Sequence, residues 1–325
     1  MLALTDKFKV IILLLCLFSL SGCGSFINRM AVKSAGGMLA KASDEVLTEG
    51  NWDIFYYGVP GNLKLMEGLY HISPEDRGVL SGLVKGYAGY AFVVSETLAL
   101  NEEYNESEIR PNTRQAIYHY SKAVNYGEQF LKTYGLDFDQ IQKVSSSKEE
   151  SSRLLGKLGT SKFELETLFF IGQAYGGLIL FNLDDMALIA KRPIVKAIFD
   201  YVCQINPDFN RGACDIFYAA NLVLTPAMMG GDPNKGQEIF EKAMNKYPEN
   251  DFIRVAYMQF FTIPFEEEEL FQESFNLLKK KEKDFKASLE FDPNSKDNRR
   301  SSINLFKAVA FKRLEIIKKH LGNFF

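Results

Sequence analysis

The sequence predicts an all-α chain, a solenoid of TPR-like helical hairpins with degenerate repeats and a capping C-terminal helix. Three observations carry this expectation. Apolar residues recur at helical spacing along almost the whole chain, and no alternating strand pattern or Asn-Gly hairpin interrupts them. Proline and short polar residues punctuate the periodic runs where helices start and stop. One small–aromatic–small spacing also recurs in chain order.

In order along the chain, Ser73-Pro74-Glu75-Asp76 predicts a helix start, with Ser73 as cap and Pro74 in the first turn. Pro111 and Pro193 mark further starts, and Asp232-Pro233 repeats the device of a cap followed by proline. Asn206-Pro207, Tyr247-Pro248 and Asp292-Pro293 each close an amphipathic run, because proline cannot continue a helix. The polar stretch Ser145–Ser152 predicts a surface loop. A last helix from Ser302 to about Leu321 carries Ile303, Phe306, Val309, Ala310, Leu314 and Ile317 along one face.

The repeat is read by aligning those prolines. Val195, Phe199, Val202 and Pro207 share their spacing with Gly236, Phe240, Ala243 and Pro248, and with Lys281, Phe285, Ser288 and Pro293. Ala116, Tyr120 and Ala123 form an earlier copy without proline. The pattern resembles the second helix of a tetratricopeptide repeat, in which small residues admit a neighbouring helix and the aromatic fills the gap between hairpins. The prolines stand 41 and 45 residues apart, against about 34 in the standard repeat, so the copies carry insertions.

The N-terminus has the layout of an export signal: Lys7 and Lys9, a largely apolar run from Val10 to Leu20, then Leu20-Ser21-Gly22-Cys23. The run is shorter than the roughly 20 residues a membrane-spanning helix needs. Leu-Ser-Gly-Cys resembles the lipobox of bacterial lipoproteins, which implies cleavage before Cys23 and a covalent lipid on its sulfur. Multiple acyl chains would make that membrane anchor stable. Gly24 stands where an aspartate would signal inner-membrane retention, which directs the expectation toward the outer membrane. The chain thus divides into a signal peptide (1–22), a lipidated, Gly-rich tether or loosely docked first helix (23–43) and one helical domain (44–325).

Composition excludes several classes. Loss of Asp6, Lys7 and Lys9 with the signal moves the net charge from −3 to −4, and no basic cluster interleaved with aromatics suggests nucleic acid. His71, His119 and His320 lack metal-ligand spacing, and no nucleotide or nucleophile-elbow motif appears, so neither an enzyme nor a cofactor beyond the lipid is expected. Glu266–Glu269 followed by Lys279–Lys281 reads as a solvated helix whose charges match its dipole. Export permits a disulfide between Cys203 and Cys214, whereas the plainer reading is two small buried side chains in packed helices. Aromatics are abundant, with 27 Phe and 15 Tyr. Phe260-Phe261, Phe169-Phe170 and Tyr87, Tyr90 and Phe92 exceed what one helix face needs, which suggests an apolar channel or groove.

A more specific resemblance rests on ordered segments. They are Gly58-Val59-Pro60 with Leu63-Lys64-Leu65 and Glu67-Gly68-Leu69, then Gly89-Tyr90-Ala91-Phe92. Leu224-Thr225-Pro226-Ala227-Met228-Met229-Gly230-Gly231-Asp232-Pro233 with Lys235 follows, then Phe261-Thr262-Ile263-Pro264 with Glu269-Leu270-Phe271. Together they resemble the T component (TatT) of tripartite ATP-independent periplasmic (TRAP) transporters, a family of TPR-type periplasmic lipoproteins. The resemblance implies association with the transporter's periplasmic solute-binding protein. It also implies a homotrimer with a pore through each subunit that passes small, hydrophobic solutes. The pore, ligand or partner residues it suggests are Met228, Met229, Gly230, Gly231, Asp232 and Lys235, with a turn and helix cap as their structural reading. A scaffold lipoprotein in envelope or outer-membrane assembly is the alternative function.

Overall fold

In the computed structural model, the described residues are Val32, 45–289 and 301–325. The signal, Cys23 and the Asp292-Pro293 stop lie outside them, as does the tether apart from Val32, which is buried in a hydrophobic cluster. Among the described residues the regular secondary structure is all helical, without strands. The all-α class is therefore the expected one.

Local chemistry sets most helix ends. Asn51 caps α1 (Trp52–Ile72) by accepting from the backbone N–H groups of Asp53 and Ile54. Ser73 ends this helix rather than starting the next, since its N–H donates to Leu69 O. Asp76 is the cap of α2 (Arg77–Tyr90), accepting from Val79 N at 2.9 Å. The expected start at Ser73 is thus displaced by three residues. The carboxylate supplies both an acceptor and a negative charge at the helix N-terminus, where a hydroxyl supplies only the acceptor.

A π-helical turn, Ala91–Glu96, leads into α3 (Thr97–Tyr104). Pro111 opens α4 (Pro111–Lys132) as expected, but no adjacent residue caps it. Instead the buried Glu102 of α3 accepts from the N–H groups of Asn112 and Thr113 and from both their side chains, at 2.7–3.0 Å. A cap supplied from the preceding helix fixes the angle between the two.

After α5 (Phe138–Val144), the stretch read as a loop is a helix, α6 (Lys148–Leu155). Ser147 caps it through Glu150 N, Glu149 and Glu150 occupy its first turn and Arg153 its last. Leu155 anchors it in the core. Its polar composition concealed a complete set of helix-end signals.

Then come α7 (Lys162–Leu180), the short α8 (Met186–Ile189), α9 (Arg192–Ile205), α10 (Ala213–Leu224) and α11 (Pro233–Lys246). The stops before Pro207 and Pro248 fall where expected, as do the starts at Pro193 and Pro233. α12 (Asp251–Tyr257) runs into a second π-helical turn, Met258–Thr262, followed by α13 (Glu268–Ser288) and α14 (Asn304–Lys319).

The recurring spacing marks packing contacts in three of its four copies. Ala116, Tyr120 and Ala123 on α4, Val195, Phe199 and Val202 on α9, and Gly236, Phe240 and Ala243 on α11 are all buried. A side chain at Gly236 would start 2.5 Å from Val223 Cγ2 and 2.9 Å from Ala219 O, so glycine is what lets α10 and α11 approach. In the fourth copy Phe285 is only half-buried and Ser288 is exposed. Lys281, expected on a solvated face, instead bonds Asp251 Oδ1 at 2.7 Å and Pro248 O at 2.9 Å, tying α13 to α12.

Neighbouring helices pair in chain order, and the last one also returns to the first. α14 packs against α12 and α13 and also against α1 and α3. Leu305 N donates to Leu47 O, and Asn304 Nδ2 to Thr48 O. His320 and Asn323 reach Asn101 and Tyr104. The capping helix therefore closes the helical array against its own beginning. Near that beginning, Glu67 of α1 accepts from Lys64, Lys122, Tyr87 and Tyr126 at 2.7–3.0 Å. Burial raises its pKa, but these four donors outweigh that effect and hold it down at about 2.

Cys203 at the end of α9 and Cys214 at the start of α10 form a disulfide, with Cα atoms 5.9 Å apart. Of the two readings open in the sequence, the bridge is the one realised. It spans a tight turn in which Asn210, Arg211 and Gly212 all adopt positive φ. Replacing both cysteines with alanine should lower stability by roughly 2–3 kcal/mol, chiefly by freeing the unfolded chain. Urea denaturation of the oxidised protein and the double variant measures it, and equal midpoints would refute the bridge's contribution.

Candidate functional site

Two hydrophobic clusters organise the interior. One gathers α2, α4, α7 and α9 around Leu80, Tyr120, Phe130, Leu168 and Ile198. The other gathers α11 to α14 around Phe240, Tyr257, Phe271 and Leu314. Where they meet they leave a cavity of about 510 Å³, walled by residues of both.

Its lining is dominated by rings. Phe169 and Phe170 come from α7, Phe199 from α9, Phe209 from inside the loop that the Cys203–Cys214 bridge closes, and Phe217 from α10 just beyond it. Phe92, Phe252, Phe260 and Phe306 face them from the other half. The aromatic excess seen in the sequence thus builds an apolar chamber, with Phe92, Phe169, Phe170 and Phe260 in its wall. Phe261 and Tyr87 are buried outside it, and Tyr87 donates to Glu67.

Both π-helical turns border the chamber, and one side chain joins them. Arg313 of α14 is fully buried. Its Nη2 donates to Glu96 Oε1 and to Phe92 O, both at 2.9 Å, and its Nε to Thr97 Oγ1 at 3.0 Å. Its Nη1 donates to Gln259 Oε1 of the second turn at 3.1 Å. A π turn widens the backbone spacing and turns a carbonyl out of the helical ladder, and here Phe92 O is given to the guanidinium. Glu96 also accepts from Tyr120 OH at 2.5 Å. Burial and the Glu96 carboxylate push the Tyr120 hydroxyl well above its usual range, so it stays a donor.

The remaining polar groups of the wall are few. Lys85 Nζ lies 2.6 Å from Glu166 Oε2. Asn62 donates to Gly58 O and Asn250 to Arg211 O. Gln173 contributes a buried side-chain oxygen with no hydrogen-bond partner. Among the described residues no group of His, Cys, Asp and Glu could hold a metal ion. His119 bonds Ser95 Oγ at 2.8 Å among tyrosine rings, and burial lowers its pKa to about 4. Among the described residues no helix is long and apolar enough to cross a membrane.

The six residues singled out in the sequence lie elsewhere. None of Met228, Met229, Gly230, Gly231, Asp232 and Lys235 lines the chamber. They form the connection from α10 to α11. Gly230 takes φ +91°, and a side chain on Gly231 would start 1.7 Å from Thr225 O. Asp232 donates its N–H to Leu222 O and caps α11 by accepting from Lys235 N at 3.0 Å. Gly230, Gly231 and Asp232, with the Lys235 N–H, therefore make a turn and a cap. Met228 and Met229 stand out from this turn, 93% and 61% exposed.

Sequence reasoning found the rings but missed Arg313, Glu96 and Gln173. No short-range signal distinguishes a buried arginine from its surface neighbours on an amphipathic helix. No curated protein matches the chain. The family model for the TRAP transporter T-component matches residues 49–325, and the chain belongs to that family.

Proposed function

We propose that the protein serves its TRAP transporter by holding a small apolar solute in the chamber while docked to the periplasmic solute-binding protein. The observation that carries this reading is the ring-walled cavity of about 510 Å³, a size and lining usual for small-molecule sites. In this reading the mature chain begins at Cys23. It is held by lipid at the periplasmic face of the outer membrane, assembles as a homotrimer and performs no catalysis. It needs no cofactor beyond that lipid. The exposed Met228 and Met229 offer adaptable apolar contacts for a protein partner.

Cross-linking in cells, followed by capture of the full-length lipoprotein, tests the docking. The expected result is recovery of the transporter's solute-binding protein, and mass spectrometry of solvent extracts should find apolar small molecules. Recovery of barrel-assembly or cell-wall proteins without a solute-binding protein would overturn it in favour of the scaffold reading.

A further inference from the structure

Several glycines in the chamber wall are there because another side chain presses on them. A side chain on Gly82 of α2 would collide with Met66 Cε, and one on Gly86 would start 2.6 Å from Leu63 Cδ2. On α7, one on Gly177 would meet the Tyr120 ring at 2.5 Å and one on Gly172 the Phe199 ring at 3.0 Å. Gly89 differs. It lines the chamber, yet a side chain built on it meets no atom within 4 Å.

Gly82, Gly86 and Gly89, spaced by four and three residues, form one row along α2. Met66 and Leu63 of α1 press on the first two. At the third no atom of α1 is in reach, and Val59, one turn before Leu63, lines the chamber instead. The gap that opens between the two helices is a bay of the chamber. Neither backbone nor packing calls for glycine in its wall. Gly89 sits within a continuous helical run from Arg77 to Tyr104, where glycine is less favourable than alanine because it loses more backbone entropy. What glycine preserves at this position is the space itself.

Resting on the solute-holding role proposed above, we infer that Gly89 sets the breadth of solute the chamber accepts. The bay it keeps open receives a ring or branch of a ligand broader than a straight chain. A straight chain leaves the bay unfilled and forfeits the dispersion contacts its walls offer. Solutes of equal apolar character are thus told apart by shape, at a residue that makes no polar contact with them.

The test is displacement of the fluorescent probe N-phenylnaphthylamine by 4-butylcyclohexanol and by decanol, alcohols of equal carbon count. The mature chain carries Cys23→Ser, so that no lipid or micelle takes up the probe, and inhibition constants are corrected for the probe affinity of each variant. The wild-type chamber should bind the cyclic alcohol at least as tightly as decanol, although the straight chain has more apolar surface to bury. Gly89→Leu, which fills the bay, should weaken the cyclic alcohol at least about tenfold and decanol no more than about twofold. Gly89→Ala should weaken the cyclic alcohol about two- to threefold while raising the melting temperature by about 1–2 °C, a combination that damage to the fold cannot produce. If the leucine variant does not fold, the ratio of the two alcohols in the alanine variant decides. Equal weakening of both alcohols, or an unchanged cyclic alcohol in a folded Gly89→Leu protein, would overturn the role of Gly89. Tighter binding of decanol by the wild type would overturn the preference for a broad solute. Failure of the wild type to bind the probe would overturn the solute-holding role itself.

Discussion

Replacing Arg313 with alanine should destabilise the protein by about 3–5 kcal/mol, the range seen when one partner of a buried ion pair is removed. The guanidinium is wholly buried, and its four hydrogen bonds reach Glu96, the Phe92 carbonyl, Thr97 and Gln259. It also lies 4.9 Å from the Phe92 ring centre and 5.1 Å from that of Phe252. Truncation would leave the Glu96 carboxylate beside an apolar chamber without its guanidinium partner, held by the Tyr120 hydroxyl. It would also remove the shorter of two side-chain donors from the Phe92 carbonyl at the first π turn, which accepts from Thr97 Oγ1 at 3.5 Å as well. Arg313→Lys should recover only part of the loss, because an ammonium cannot present the planar fork that meets both turns. Arg313→Met combined with Glu96→Gln should recover more, since it removes both charges together. Denaturant titration of the three variants measures this order. A loss below about 1 kcal/mol in Arg313→Ala would show that water compensates the exposed carboxylate.

That side chain also marks the limit of what the sequence discloses. Helix starts at Pro111, Pro193 and Pro233 were legible because proline acts within the first turn, joined at Pro233 by the capping carboxylate of Asp232. Ser73 misled for the same reason: two acceptors stood three residues apart, and the backbone used Asp76. The helix at Lys148–Leu155 was hidden by its polar composition, although Ser147, Glu149 and Arg153 announce its ends. The chamber was foreshadowed by the surplus of rings, since a helix face buries only so many. Which rings would face it was not, because that depends on contacts such as Arg313 with Phe92, 221 residues apart in the chain. The Cys203–Cys214 pairing likewise depends on how α9 and α10 meet, which spacing alone leaves open.

The turn before α11 separates a structural role from a binding one, and substitution there should show both. Gly231→Ala should cost about 3 kcal/mol or more, because the new methyl would lie 1.7 Å from a backbone oxygen that cannot rotate away. Relief requires moving Thr225, which ends α10, or the Asp232 cap, whose N–H is committed to Leu222 O. Gly230→Ala should cost less, about 1 kcal/mol, since its methyl meets open space and the penalty is positive φ alone. Met228→Ala removes almost no buried surface and Met229→Ala only a modest part of one side chain, so the melting temperature should stay nearly unchanged. If the motif is only a turn, the methionine variants will bind the solute-binding protein as well as the wild type does. If the exposed pair is the docking surface proposed here, the double variant will lose at least about tenfold in affinity at unchanged stability. Thermal melts and binding isotherms on the same preparations distinguish the two, because a folding defect moves both readouts and a lost contact moves only the second.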